Sequence, residues 1–471
     1  MTGARGGKLP SGARRPGRIN PKTRSAPVPA LYMPVYGLRP RAVWRAVKRQ
    51  PPSFWFVSIY LLFEYVRPQH IYEAISGPPY SLAAIILALV SFLLERRHFR
   101  IGMPEMFLGI FSLVIVASSI AAFQPSVSFS YDNISLYFSW VLIYLLIANA
   151  VDTEERFVVF TLGFLLYSFK MSQHATRSWA ESGFAFRNWG ATGAPGWFHN
   201  SGEFGIQMCV FLPLIVAFIL GLQQYWPRWA RWAAWAMAGT AITGIVASSS
   251  RGALVGLAAV ALWLMLKSQH KFRALLAVAV FAWGVYAIVP DQQKARFGRA
   301  GEDRTSVSRT TNWKHGIQIM REYPVLGIGY ANWRSYHSSN YGSQLLPHNI
   351  FIEAGSELGY TGLVSFLGLI WCTFYINRRT RKIAQKFPGK GEFMIRMAHG
   401  LDGALVGYMA SGFFVTVLYY PYFWINFAMT VALHNAALRA FAQKQAAQPP
   451  RRSLTTRNAP PRLASGRVES L

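Results

Sequence analysis

Residues 346–376 read LPHNIFIEAGSELGYTGLVSFLGLIWCTFYI, and this stretch changes from polar to apolar within a few positions. A proline, a histidine and an asparagine come first. An apolar run from 350 to 376 follows, in which Glu353 and Glu357 are the only charged residues. A helix of about 20 apolar residues can cross the hydrocarbon layer of a bilayer. The stretch therefore predicts a membrane-spanning helix whose polar start lies at the water boundary.

The composition of the whole chain indicates the same class of protein. Of its 471 residues, 52% are hydrophobic and only 14% are charged, whereas about a quarter of the residues in a soluble domain are charged. The apolar runs are too long and too regular for barrel strands. We therefore predict an all-α, polytopic integral membrane protein with about 12 transmembrane helices. The candidate spans lie near 52–66, 79–95, 104–123, 133–150, 156–172, 202–222, 230–247, 252–267, 272–290, 350–376, 397–418 and 421–440.

The basic residues predict how the chain is oriented in the membrane. A formal net charge of +29 would suit nucleic acid in a soluble protein. Here, with a cytoplasmic N-terminus, 35 of the 48 lysines and arginines fall in segments on the inner side. This agrees with the positive-inside rule and predicts that both termini are cytoplasmic. We expect membrane lipids, and no nucleic acid, as partners of this charge.

The same patterns divide the chain into four segments. Residues 1–50 and 441–471 are basic and lack hydrophobic periodicity, which predicts disordered cytoplasmic tails lying against anionic lipid. Residues 51–172 are predicted to form the N-terminal transmembrane helices. Residues 173–440 are predicted to form the core, which includes a large outer loop at 291–349.

The outer loop is far longer than a connector needs, and such loops are usually functional or disordered. It carries eight lysines and arginines against four acids, and this excess of positive charge suits an anionic ligand. Its residues 313–333, WKHGIQIMREYPVLGIGYANW, have helical periodicity followed by a Pro/Gly turn. They predict one or two helices lying on the face of the membrane.

A third polar feature is the segment ASSSRGALVGLAAV, which starts at residue 247. Arg251 begins an apolar helix behind three serines that can cap its free N–H groups. A helix N-terminus already carries partial positive charge, so an added guanidinium favours an anion site. The alternative is an arginine that extends to the interface. The predicted topology places Arg251, Arg187 and His348 on the same outer side.

These segments resemble the family of O-antigen ligases and polymerases. The family's motif is a histidine, then Asn, Ser or Gln, nine residues, a glycine, two residues, and then Gly, Thr or Tyr. In this chain it reads His348-Asn349, nine residues, Gly359, two residues, Gly362. SSSRGALVG resembles the family's arginine at the start of a core helix, and RNWGATGAPGWFHNSGEFG resembles its upstream loop. The resemblance covers about residues 185–440.

The resemblance implies a glycosyltransferase that acts at the periplasmic face of the bacterial inner membrane. It would transfer a glycan from undecaprenyl pyrophosphate to a hydroxyl of lipid A-core, a glycan or a protein. Arg187 and Arg251 would stabilise the pyrophosphate, and His348 would accept the proton of the acceptor. We predict no cofactor and no metal, because the arginines would take the place of a divalent cation. A polymerase of lipid-linked repeat units is the alternative, and a twelve-helix transporter or flippase is a third possibility.

Five further residues are predicted to contact the substrate, and the sequence leaves a structural alternative for several of them. Asn200 could instead cap the helix that follows it, and Glu353 could pair with an arginine near the membrane rim. Arg309 lies in the basic outer loop, where it could contact a phosphate or a sugar. The predicted substrate-binding residues are Asn349, Arg309, Glu353, His199 and Asn200.

Overall fold

A computed structural model describes residues 34–185, 190–193, 197–198, 200–268, 270–288, 304–387 and 391–446. Throughout these ranges the regular secondary structure is helical, so the predicted all-α class is confirmed. The described residues form 16 α-helices. They are α1 (Pro40–Lys48), α2 (Pro52–Leu61), α3 (Tyr80–Leu94), α4 (Met103–Ile120), α5 (Pro125–Ser128), α6 (Tyr131–Ala150), α7 (Glu154–Glu181), α8 (Ser201–Leu222), α9 (Arg228–Ala247), α10 (Arg251–Lys267), α11 (Lys271–Ile288), α12 (Arg304–Glu322), α13 (Trp333–Tyr341), α14 (Ile350–Ala384), α15 (Glu392–Gly412) and α16 (Pro421–Ala446).

Each of the twelve apolar runs overlaps one of these helices, namely α2 to α4, α6 to α11 and α14 to α16. Among the described residues, four helices are by themselves long and apolar enough to cross a bilayer: α4, α6, α8 with the turn after it, and α14. Helix α3 is apolar but shorter. These helices are consistent with a polytopic membrane protein. The number of twelve crossings and the side on which each loop lies remain predictions.

Helix α8 is the most enclosed of the four, since 89% of its most apolar window is buried. It packs against α9, α10 and α15. Small residues allow this close approach: a methyl group added to Gly400 of α15 would lie 2.5 Å from Ala217 Cβ of α8. As a result, the first residues of α8, the first residues of α10 and the loop after α15 come together.

Helix α14 contains a break at Gly359, where φ is 68° and ψ is −172°. Around this break the helix exchanges hydrogen bonds with the loop that follows α12. The N–H of Tyr360 donates to the carbonyl of Pro324 at 2.8 Å, and the N–H of Ile328 donates to the carbonyl of Ser356 at 3.0 Å. A side chain at 359 would collide with the backbone of Val325. The motif glycine is therefore required by a left-handed conformation and a close backbone contact.

The described part of the outer loop, 304–349, contains two helices, α12 and α13, as its periodicity predicted. A small apolar cluster joins them through Ile319, Ile328, Trp333 and Tyr336. Helix α12 also lies directly on α14, because a methyl group added to Gly355 would meet the side chain of Met320. The remainder of the predicted loop, 291–303, lies outside the described residues.

Three arginines that were predicted on the cytoplasmic side meet at one buried carboxylate. Asp152 is 4% exposed and forms ion pairs with Arg97 at 2.8 Å, Arg156 at 2.6 Å and Arg439 at 2.6 Å. These arginines come from three separate basic segments of the sequence. Their convergence places the three segments at the same end of the helices, whereas the side of the membrane on which that end lies remains a prediction.

The structure corrects the predicted boundaries at three places. Residues 34–48 lie in the segment predicted to be disordered, but they form a 3₁₀ turn and α1. The reason is local: the buried Tyr36 donates to Glu154, and its carbonyl accepts from Trp226 Nε1 at 2.7 Å. Helix α7 continues to Glu181, past the predicted boundary at 172, and α16 continues to Ala446, past 440. Residues 1–33 and 447–471 lie outside the described residues.

Candidate active site

The first residues of α8 and α10, the loop after α15 and the segment before α14 surround one cavity of about 440 Å³. Four residues that the sequence predicted for the site line this cavity: Arg251, His348, Arg309 and Asn200. They come from four separate stretches of the chain. The other lining residues are Ser201, Gly202, Glu203, Ser249, Ser250, Gly252, Leu346, Phe414, Val415 and Thr416.

Hydrogen bonds with three side chains fix the backbone around His348. Its own N–H donates to Thr416 Oγ1 at 2.8 Å. Asn312 Nδ2 and Trp313 Nε1, both on α12, donate to the carbonyls of the two preceding residues at 3.0 and 2.8 Å. The outer-loop helix and the loop after α15 therefore hold the histidine from two sides.

The surroundings of His348 keep its imidazole neutral. They lower its pKa from 6.5 to about 4, first through burial and then through the positive charges of Arg309 and Arg334. Burial and nearby cations both disfavour the protonated ring. At neutral pH the ring nitrogen that carries no hydrogen is therefore free to accept a proton.

The predicted serine cap of α10 is confirmed. Ser250 is the N-cap residue, and its hydroxyl accepts from the N–H of Ala253 at 3.3 Å. Ser248 Oγ accepts from the N–H of Ser250 at 3.3 Å. The third serine differs, since Ser249 Oγ is buried and has no hydrogen-bond partner within the described ranges. A buried hydroxyl without a partner costs stability, and this one lines the cavity beside Arg251.

Two residues of the cavity wall have a strained backbone. Ser249 has a φ of 53° and His348 a φ of 48°, values in the left-handed region that residues other than glycine rarely adopt. Such conformations persist only where the surrounding structure holds them, and they concentrate at functional sites. The sequence indicated Ser249 only as one of three capping serines, because no sequence pattern marks a positive φ at a residue other than glycine.

Asn200 has the capping role that the sequence allowed, and it also lines the cavity. It is the N-cap of α8, and its Oδ1 accepts from the N–H of Gly202 at 2.8 Å. Glu203 completes a capping box, since it accepts from the N–H of Asn200 at 3.3 Å. Glu203 also accepts from the hydroxyl of Tyr420 at 2.9 Å. The cap therefore fixes one wall of the cavity.

Asn349 and Glu353 do not line the cavity. Asn349 is 2% exposed, and its Oδ1 accepts from the N–H groups of Phe351 and Ile352 at 2.9 and 3.2 Å, which makes it the N-cap of α14. Glu353 accepts from the N–H of Leu418 at 3.3 Å. Both residues therefore position the parts of the chain that carry His348 and Thr416.

Glu357, one turn further along α14, also holds backbone in place. Its carboxylate accepts from the N–H groups of Ala331 and Trp333 at 3.2 and 3.1 Å, at the start of α13. Tyr419 donates to it at 3.1 Å. Among the described residues, neither this carboxylate nor that of Glu353 forms an ion pair with an arginine, which was the predicted alternative.

Two predicted site residues, Arg187 and His199, lie outside the described residues. The structure does describe the segment between them at 190–193. There, the N–H of Ala191 donates to the carbonyl of Ala247 at 2.9 Å, beside the three serines. The upstream segment thus packs against the stretch that leads to Arg251.

Residues 236–367, which carry Arg251, Arg309 and His348, match the sequence profile of the O-antigen ligase family. This segment is similar to the O-antigen ligase family. The resemblance that the histidine and arginine motifs indicated is therefore confirmed. Three residues of the matched segment, Arg251, Arg309 and His348, line the cavity.

Two relatives are similar to this chain over part of their length. The chain is 29% identical over 144 residues to the O-antigen ligase of Pseudomonas aeruginosa, across 29% of this chain and 33% of that protein. It is 31% identical over 126 residues to the exopolysaccharide production protein ExoQ of Rhizobium meliloti, across 24% of this chain and 27% of that protein. The matches span about a third or less of each relative.

Proposed function

We propose that this protein is a glycan ligase, a membrane glycosyltransferase that moves an oligo- or polysaccharide from undecaprenyl pyrophosphate to an acceptor hydroxyl. The observation that carries the proposal is the cavity in which Arg251, Arg309 and His348 meet. All three lie in the family segment. The cavity joins two cations with a neutral base, which are the groups that this transfer needs.

The cationic wall suits the pyrophosphate of the donor. Arg251 sits on the first turn of α10, so its guanidinium and the free N–H groups of the helix add their positive charge. Arg309 approaches from α12. The hydroxyl of Ser249 offers a hydrogen bond that the described residues leave unused. These groups would stabilise the charge that grows on the leaving group during transfer.

His348 is proposed as the general base. The acceptor oxygen forms a bond to the anomeric carbon, and the bond from that carbon to the pyrophosphate oxygen breaks. The electron pair of the broken bond leaves with undecaprenyl pyrophosphate, and the hydroxyl proton passes to the imidazole. The imidazole is neutral before donor binding because its pKa is lowered to about 4.

Donor binding should strengthen this base. Arg309 is one of the cations that lower the pKa of His348. A bound pyrophosphate would offset that positive charge and raise the pKa towards neutrality. The histidine would then accept the proton most readily when the donor is in place, since a base works best with a pKa near the working pH.

The rest of the proposal follows the family resemblance and the charge-based topology. The site would face the periplasm at the inner membrane, and the acceptor would be lipid A-core or a protein. Arg187 and His199 are proposed as further donor contacts from the segment before α8. Asn200 is placed on the cavity wall, where its amide could also meet the glycan.

The similarity to an exopolysaccharide production protein favours a second candidate, a polymerase that joins lipid-linked repeat units. Reconstituted protein supplied with a polyprenyl-pyrophosphate glycan would separate the two. A ligase transfers the glycan to lipid A-core or protein and produces one added glycan for each acceptor. A polymerase produces a ladder of repeat units on the polyprenyl carrier without any other acceptor. Folded protein that gives neither product from an intact donor would contradict both assignments.

A further inference from the structure

A second cavity of about 680 Å³ lies between α8, α9, α10 and α15. It does not share a wall residue with the cavity around His348. Its sides are apolar and include Leu212 and Val216 of α8, Trp235 and Ile242 of α9, and Leu257 and Leu264 of α10. Such a surface is suited to hydrocarbon chains.

One part of the wall is instead basic. Lys267 at the end of α10 and Arg396 and His399 near the start of α15 all line the cavity. Lys267 Nζ lies 4.6 Å from the centre of the Trp263 ring, and Trp263 Nε1 donates to the carbonyl of His399 at 3.0 Å. The tryptophan therefore holds the lysine and the histidine segment together at this end.

A ring nitrogen of His399, in this basic part of the wall, which is called the basic corner, lacks a hydrogen-bond partner among the described residues. His399 Nδ1 is buried and has no hydrogen-bond partner within the part of the chain that the structure describes. Buried polar atoms are nearly always hydrogen-bonded, and each exception calls for an explanation. A ligand with a polar head group in this basic corner would supply the missing partner.

The basic corner is far from the proposed donor site. Lys267 ends the helix that Arg251 begins, and the 16 steps from one residue to the other span about 24 Å at about 1.5 Å each. A polyprenyl tail that extended from the first cavity would be hydrocarbon along its whole length. Arg396 Nε already donates to the Glu392 carboxylate at 2.6 Å. The polyprenyl tail would offer Lys267 and Arg396 no further anion, whereas an anionic phospholipid would.

We propose that this second cavity binds one anionic phospholipid, with its acyl chains between α8, α9 and α10 and its phosphate at Lys267, Arg396 and His399. The charge distribution predicts that Lys267 and Arg396 lie on the cytoplasmic side, where anionic lipids attract basic residues. The proposal concerns a different set of residues from the transfer reaction and does not depend on it.

Native mass spectrometry of the full-length protein tests the proposal, with phosphatidylglycerol and phosphatidylcholine as the two added lipids. The wild-type protein should retain one phosphatidylglycerol. Two interfacial cations should give the wild-type protein a preference for phosphatidylglycerol over phosphatidylcholine of roughly 30-fold. The double variant Lys267→Gln, Arg396→Gln should lose this preference and bind both lipids alike. Lys271→Gln is the matched control, because Lys271 is exposed nearby and does not line the cavity.

A second pair of variants tests the apolar part of the second cavity, which is called the acyl groove. Gly239 lines the cavity and has no atom within 4 Å of an added Cβ, so Gly239→Phe should fill the groove and abolish retention of either lipid. Gly109 on α4 is equally open, and Gly109→Phe should leave binding unchanged. Size-exclusion profiles and melting temperatures verify folding, and Ala261→Phe is a second filling variant. Equal retention of the two lipids by the wild type, a polyprenyl phosphate as the retained lipid, or normal retention in both filling variants would overturn the proposal.

Discussion

The backbone N–H of His348 donates to Thr416 Oγ1 at 2.8 Å, although the two residues are 68 positions apart. This bond joins the histidine motif to the loop after α15. It also secures a left-handed backbone at His348, whose φ is 48°. The position of the proposed base therefore depends on a residue that belongs to no motif.

Thr416→Val should lower the rate of transfer while leaving donor binding nearly unchanged. Valine keeps the shape of threonine but removes the acceptor, so the N–H of His348 loses its partner at a cost of about 1–3 kcal/mol. Steady-state kinetics should show a lower kcat with a similar KM. Thr416→Ser keeps the hydroxyl and should retain most of the activity. A Thr416→Val protein with the wild-type kcat would mean that the bond does not position the base.

The pH profile of transfer should report the low pKa of His348. The base must be neutral to accept a proton, so activity is lost as pH falls through its pKa. With a pKa of about 4 in the free protein, kcat/KM should stay constant from about pH 8 down to about pH 5 and decline only below that. An unperturbed histidine would already be half protonated near about pH 6.5.

Two variants connect this profile to its cause. Arg309→Gln removes one of the charges that lower the pKa, so the acidic limb should move to higher pH. His348→Ala should reduce kcat by about 10²–10⁴ at neutral pH and remove the acidic limb. A limb that stays in place in His348→Ala would assign the titration to another group.

Much of this arrangement could be predicted from the sequence, because continuous apolar runs and a spaced motif are local signals. The runs gave the positions of twelve helices, and the motifs gave His348 and Arg251, which do share a cavity. The predicted contact of Asn349 with substrate stays a prediction, because a helix cap and a ligand contact give the same signal in the sequence. An asparagine directly before an apolar helix is a standard N-cap, and that rule alone would have indicated its observed role.

Other parts depend on contacts that no local pattern encodes. Thr416 and Ser249 line the cavity only because α8, α10 and α15 pack together. Glu357 accepts hydrogen bonds from the start of α13, a helix that lies before it in the chain. Tyr36 holds in place a segment whose composition predicts disorder. Its hydrogen-bond partners are more than a hundred residues away in the chain, so no local pattern reveals them.

Arg251→Lys should fail to restore what Arg251→Ala loses. Lysine keeps the charge at the start of α10 but lacks the planar pair of donors that binds a phosphate through two hydrogen bonds. We expect Arg251→Ala to lower kcat/KM by about 10²–10³, by comparison with the loss of one oxyanion donor. Arg251→Lys should recover little of it. Wild-type activity in the lysine variant would reduce the role of Arg251 to that of a point charge.

Transfer should continue in excess EDTA. In the proposed site, Arg251 and Arg309 supply the positive charge that a divalent cation would otherwise provide. The measurement is the initial rate of the reconstituted protein with and without the chelator, followed by addition of Mg²⁺ or Mn²⁺. Arg309→Gln under the same conditions is the control, since its activity should be lowered to the same extent with and without metal. Activity that disappears in EDTA and returns with either cation would contradict this assignment.

Gly359→Ala should destabilise the protein much more than Gly355→Ala, although both glycines lie in the same helix four residues apart. At 359, φ is 68° and ψ is −172°, a backbone conformation that is essentially restricted to glycine and costs other residues about 1–3 kcal/mol. The added methyl group would also meet the backbone of Val325 and Gly327, which cannot move aside without breaking the hydrogen bonds around the kink. At 355, the obstacle is the end of the flexible Met320 side chain. Thermal unfolding in detergent should show the larger loss at 359, together with reduced transfer, because the loop that α14 holds there leads to α13 and on to His348. Equal melting temperatures for the two variants would show that the chain between α12 and α13 does not require the break at 359.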